Sequence, residues 1–292
     1  MISLLSGYAW YEIVGPFSLV AALLASYWYI KTFIKSPHYK AARVEKGYFL
    51  TAVLLFYLVE GGPIGLIADH YLLSILTLQL SVIAFVVVPL IILSLPKQYI
   101  KALFWNHKRS QIAKLLFSHP WPLAVVFNGL VTLFFVPSVF NNIHGNLFLQ
   151  FLAEMLIYTF AFFIWWIIIQ PSSDTPGHSY LMRIGYVFFT ALFLMPIGIY
   201  LLVLTGAEYP AYATVAGEHF PALGAVSDQQ LAGGIIKAVQ LTSFSFALYY
   251  LFRNWGIQED EREGMVDEDT RVVQGIAIKV NNRNKNRRGR KR

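Results

Sequence analysis

The chain contains no cysteine, and charged residues make up only 13% of its 292 residues. The first absence excludes disulfides, thiolate metal centres, iron–sulfur clusters and thiol catalysis together. The second is low against a soluble domain, of which roughly a quarter is charged. Soluble-enzyme signatures are also missing: there is no phosphate-cradling glycine loop, no HExxH pair and no GxSxG elbow. No repeat of fixed period and no inverted symmetry between halves is visible, which counts against a secondary-transporter architecture. The start, MISLLSGYAWYEIVGPF, has neither a basic n-region nor a small-residue cleavage site, so no cleaved signal peptide is expected.

What is present is apolar. Hydrophobic residues reach 57% and the mean hydropathy is +0.54, which places the chain among multi-pass membrane proteins of the cell membrane. A span needs roughly 20 apolar residues, and the stretches that meet this predict an all-α protein of seven transmembrane helices, at roughly 12–34, 47–66, 71–95, 122–140, 147–170, 182–205 and 230–252. The second is interrupted at Gly61-Gly62-Pro63 and the fourth carries Pro137 near its end. Basic residues fix an orientation. With the N-terminus outside, Lys31, Lys35, Lys40, Arg43 and Lys46, then Lys97, Lys101, Lys108, Arg109 and Lys114, then Arg183 and the C-terminal tail all fall inside. The loops around 67–70, 141–146 and 206–229 receive no lysine or arginine. That asymmetry predicts N-out and C-in.

The membrane domain is expected to fill residues 1–253 and a charged cytoplasmic tail residues 254–292. In the tail, acidic EDEREGMVDED precedes RVVQGIAIKVNN and basic RNKNRRGRKR, a block segregation that predicts disorder. The basic end either attracts anionic lipids, at about 1 kcal/mol per residue near the surface, or serves as a solvated topology determinant. Nucleic acid is not an expected partner, because no aromatic residues interleave the basic ones.

Ionisable residues inside spans carry the most information, since each costs about 3 kcal/mol or more unless paired or hydrated. Three stand out: Glu60, Glu154 and Lys237. Glu154 and Lys237 each lie about seven residues into a helix entering from outside, so both sit roughly 10 Å below the outer edge. Opposite signs at one depth predict an ion pair, with Glu60 as the second choice of partner, and breaking such a pair costs about 3–5 kcal/mol. The alternative is that Lys237 snorkels outward. Of the seven histidines, His38, His107, His119 and His178 belong to inner loops and His144 and His219 to outer ones. Only His70 has acidic company at a helix mouth, in Asp69 and nearby Glu60. The expected buried polar cluster is therefore Glu60, Asp69, His70, Gln150, Glu154, Asp228 and Lys237.

Several stretches in order resemble the CtaG-type family of cytochrome c oxidase assembly proteins: EGGP (60–63), DHYLLSILTLQ (69–79), VPLIILSLP (88–96), SHPWPLAVVFNGL (118–130), FFVPSVF (134–140), FFIWW (162–166) and DQQLAGGIIKAVQ (228–240). The resemblance implies a seven-helix fold and a link to the copper centre of a terminal oxidase. It also implies imidazole and thioether donors that this chain lacks. Where the family pattern has a His-Met pair in the third helix, a histidine before the proline of the fourth, two histidines in the fifth and a methionine in the seventh, this chain has Leu76-Thr77, Phe135, Gln150 with Glu154, and Ile236. Copper needs soft or imidazole donors. The expectation is a CtaG-like protein acting in oxidase assembly, or bound to terminal oxidase subunits as an accessory component, without catalysis and without a tight copper site. Two alternatives stay open: a copper-handling assembly factor with His70 as metal ligand, and a small-ion or metabolite carrier using Glu60, Glu154 and Lys237.

Overall fold

The computed structural model describes residues 7–36, 38–104, 111, 115–171, 177–220, 223–263, 270–273 and 276–279. Among the described residues, fourteen α-helices carry the architecture: α1 Trp10–Val14, α2 Pro16–Tyr29, α3 Arg43–Glu60, α4 Gly62–His70, α5 Leu73–Val82, α6 Val88–Leu93, α7 Lys97–Phe104, α8 Pro120–Phe134, α9 Pro137–Ile143, α10 Leu147–Ile169, α11 Tyr180–Phe193, α12 Met195–Val203, α13 Pro210–His219 and α14 Ala225–Glu263. A π turn at Ile30–Ile34 extends α2, and another at Ile83–Val87 joins α5 to α6.

Among the described residues, five stretches are long and apolar enough to cross a membrane, or up to seven if each of two bent pairs is one span. The bent pairs are α3 with α4, at 44°, and α8 with α9, at 75°. They are the two spans whose sequences carry the glycine-proline break and Pro137. At the first, Gly62 adopts φ 63, a left-handed conformation open to glycine, and Pro63 starts the next helix. The span Leu73–Leu93 is 67% buried against 22% for Pro16–Ile34, so α5 and α6 are the centre of the bundle and α2 its periphery. α14 packs along α5, α11 and α12.

The expected boundary at 253 is not a structural break. α14 runs on to Glu263, and at 1.5 Å per residue its 39 residues reach about 58 Å, well beyond a hydrocarbon core. In the tail, Thr270–Val273 pairs antiparallel with Ile276–Lys279. The basic end, and with it the expected lipid contact of the tail, lies outside the described residues.

Helix breaks free backbone groups, and buried side chains take them up. Pro89 has no N–H, and the Val88 N–H bonds to the Ile83 carbonyl in the π turn, so the carbonyls of Ala84 and Phe85 lose their helical donors. Trp165 Nε1 of α10 donates to Ala84 O at 3.0 Å, and the Ser243 hydroxyl of α14 donates to Phe85 O. Arg183, 5% exposed, donates through Nε to Ile168 O at 2.9 Å and through Nη2 to Ile169 O at 3.0 Å, closing the C-terminus of α10. Tyr209 donates to Phe135 O at the α8–α9 bend, and Tyr212 to Ala68 O at the end of α4 at 2.7 Å. An orphaned carbonyl in an apolar interior costs about 1–3 kcal/mol. Trp165→Phe keeps an aromatic ring but removes the donor and part of the buried indole; it is expected to lower unfolding stability in detergent by at least about 1–3 kcal/mol, read from denaturant titration.

Candidate polar chamber at one end of the bundle

The break after Glu60 decides where the first carboxylate points, because Glu60 is the last residue of α3 before the chain bends into α4. Its Oε2 accepts from Gln79 Nε2 of α5. Gln79 is 5% exposed, and its Oε1 has no partner. Across from it, α10 begins at an Asn146 cap whose side chain accepts from the N–H groups of Phe148 and Leu149 at 3.1 and 3.2 Å. Capping there sets the phase of α10 so that Gln150, Glu154 and Tyr158, spaced by four, share one face. Gln150 Nε2 donates to Glu154 Oε1 at 3.0 Å, and Glu154 is 8% exposed.

Glu60, Asp69 and Glu154 lie close enough to act on one another electrostatically, and all three act on Tyr158. Asp69 and Glu154 also act on Tyr212 of α13. Asp69 and His70 themselves are exposed at the end of α4. The His70 ring stacks on Tyr8 at 5.9 Å. His144, after α9, stacks on Phe140 at 5.0 Å and meets Tyr212 at 5.0 Å. Glu60, Asp69 and Glu154 thus lie within electrostatic reach of one another, with His70 beside Asp69, and among the described residues no lysine or arginine pairs with them.

Two members of the expected cluster stand elsewhere. Asp228, 1% exposed, is a helix cap: Oδ2 accepts from Leu73 N at 2.8 Å and Oδ1 from Ser74 N at 3.1 Å. It ties α14 to the N-terminus of α5, where a negative charge meets the positive helix end. Its neighbours do similar work. Gln230 Nε2 donates to Leu204 O at 2.9 Å, while Gln229 Oε1 accepts from Glu208 N at 2.9 Å.

The expected Lys237–Glu154 ion pair is overturned. Lys237 Nζ donates to Gln240 Oε1 on its own helix at 2.9 Å, and among the described residues no carboxylate pairs with it. Its stem lies over Gly198 of α12, filling the space a Cβ would occupy. Gln240 is fully buried, and its Nε2 reaches Ala191 O at 3.5 Å near the α11–α12 junction. Position along a helix leaves the azimuth around the bundle open. Lys237 lies against Gly198 of α12, whereas Glu154 bonds to Gln150 and acts on Glu60 and Asp69. Glu60, Glu154 and Lys237 therefore do not form one polar path.

Sequence reasoning passed over Gln79, His144, Tyr158 and Tyr212. An amide in the apolar run LLSILTLQLSVIAF was a readable signal for Gln79, and the spacing of four from Glu154 was one for Tyr158. Nothing local marks His144 or Tyr212. Among the described residues no three of the histidines and carboxylates converge in a geometry that could hold a metal ion.

Two outcomes are expected. If Lys237 and Glu154 are independent, the charge-reversed pair Glu154→Lys with Lys237→Glu gives the sum of the single losses within about 0.5 kcal/mol, without rescue. Burial holds the His144 imidazole below its ordinary basicity, the charge of His70 adding to the effect and a Gln150 hydrogen bond opposing it. The unfolded chain then binds the extra proton first, so this contribution is complete above about pH 6.5 and is lost as pH falls through the folded value. His144→Gln is expected to flatten that acid limb relative to the unsubstituted protein in thermal melts.

Residues 25–257 match the model of the family described as cytochrome c oxidase caa3 assembly factor (Caa3_CtaG). No curated protein and no solved structure matches the chain.

Proposed function

Because this chain belongs to the cytochrome c oxidase caa3 assembly factor family, we propose that it is a seven-span protein of the cell membrane, N-out and C-in, that assembles a terminal cytochrome c oxidase or remains bound to it as an accessory component. The single observation that carries the reading is the family match over residues 25–257, which runs from within α2 to within α14. Seven spans follow when each bent pair is counted as one crossing. The orientation rests on the lysines and arginines, which gather in the segments joining alternate spans.

The chemistry of the donors argues against tight copper binding. The chamber offers carboxylates and amides from Glu60, Asp69, Gln79, Gln150 and Glu154, with one imidazole each from His70 at the end of α4 and His144 after α9. Cuprous copper prefers thiolate, thioether and imidazole sets, and Leu76, Phe135 and Ile236 stand where the resemblance implies such donors. The role proposed is therefore a non-catalytic scaffold, whose polar chamber is kept by hydrogen bonds and carboxyl groups. No step of copper transfer is assigned to these residues.

The test is affinity purification of the full chain from its own membranes in mild detergent, with subunit identification and metal analysis. Terminal oxidase subunits recovered with the chain, and copper well below about one equivalent, are expected. A chain recovered without oxidase subunits contradicts the assembly or accessory role. About one equivalent of copper that disappears in His70→Ala contradicts the metal-free reading.

A further inference from the structure

Three adjoining hollows line the opposite end of the bundle from the carboxylates. The first, about 300 Å³, is apolar and lies between α6, α10 and α14, bounded by Pro89, Leu90, Ile168, Phe246 and Ala247. A second, of about 450 Å³, continues it along α14 and shares Val86, Ser243 and Phe246 with it. The third, about 440 Å³, shares Leu93, Ile169 and Tyr250 with the first but changes character: Lys97, Lys101, Glu45 and Gln170 line it. Volumes of this size match ordinary small-molecule pockets of roughly 300–1,000 Å³. Phe246 and Tyr250 are 72% and 54% exposed, so the apolar part opens sideways from the bundle, toward the hydrocarbon that surrounds it.

We propose that this continuous groove binds an anionic phospholipid, its phosphate held by Lys97 and Lys101 and an acyl chain laid along α6 and α14. Charge complementarity selects the occupant. Lys97 and Lys101 stand one turn apart on α7 and repel each other, and among the described residues neither has an ion-pair partner. Lys97 is also the first residue of α7, where the positive helix end adds to its charge instead of offsetting it. Only an anion relieves both. Glu45 shares the chamber, but its Oε2 accepts from Ala42 N at 2.7 Å in the first turn of α3, so its charge is already engaged at a helix N-terminus. A free inorganic anion would leave the apolar length empty, and an apolar partner helix would leave the lysines unpaired. A phospholipid satisfies both parts at once. The groove needs only that the helices span a bilayer; it does not depend on the oxidase partner.

The test is native mass spectrometry of the full chain released from nanodiscs of equal phosphatidylglycerol and phosphatidylcholine. The expected result is preferential retention of phosphatidylglycerol, falling about fivefold for each lysine in Lys97→Gln and Lys101→Gln. Lys97→Arg with Lys101→Arg is expected to keep it. Ala247→Trp, which fills the apolar part while leaving both lysines and the basic tail intact, is expected to lose it, with circular dichroism confirming the fold of each variant. Retention unchanged in the double glutamine variant overturns the headgroup contact. Retention unchanged in Ala247→Trp overturns the groove and assigns the preference to surface charge.

Discussion

A backbone amide or carbonyl inside an apolar bundle must find a partner in the protein, because hydrocarbon offers none. Continuous helices meet this requirement internally, but this chain breaks its helices repeatedly, at Gly15, Gly61, Val87–Pro89, Phe135–Pro137 and Leu194–Pro196. Each break exposes groups that a side chain from elsewhere must satisfy. Asp228 covers the first N–H groups of α5, and Tyr212 the end of α4. Tyr57 donates to Val14 O at 3.1 Å beside the first break, and Tyr29 to Ser94 O at 3.0 Å where α6 ends. His178 Nε2 reaches Phe117 O at 2.8 Å before α8. These contacts link residues far apart in the chain, so the same bonds that make the breaks tolerable also fix how the helices are arranged.

This constraint separates two kinds of polar residue. Asp228, Gln229, Gln230, Arg183, Trp165 and Tyr209 have their polar atoms committed to backbone. Glu60, Asp69 and Glu154 do not; they bond to amide side chains or face one another. The chamber they form is therefore the polar feature that fold maintenance leaves unexplained, and the one on which a function can be argued. Lys237 belongs with the first group, since its ammonium braces Gln240, which in turn reaches the carbonyl of Ala191.

Much of this was legible before any coordinates. Hydropathy located the five long apolar helices and both bent pairs, and the glycine-proline and Pro137 signals marked the bends. Glu60, Asp69, Gln150 and Glu154 could be grouped because helices of opposite direction bring the C-terminal ends of α3 and α4 and the N-terminal end of α10 to one level. The pairing of Lys237 could not, because sequence gives a residue's depth along a helix axis but not which neighbour that face of the helix will meet. Asp228 was expected as a member of the polar cluster, yet its work as a cap for a helix 155 positions away depends on how α14 and α5 pack. The extension of α14 to Glu263 was missed for a simpler reason: charged residues end a membrane span without ending a helix.

Asp228 offers the most direct measurement of whether side chains from distant helices hold the breaks together. Hydrogen–deuterium exchange across residues 72–77, compared in the unsubstituted protein and Asp228→Ala, reads the capped amides themselves. The account predicts faster exchange confined first to that turn and a stability loss of about 2–4 kcal/mol, with Asp228→Asn in between. Exchange and stability unchanged in Asp228→Ala would contradict it.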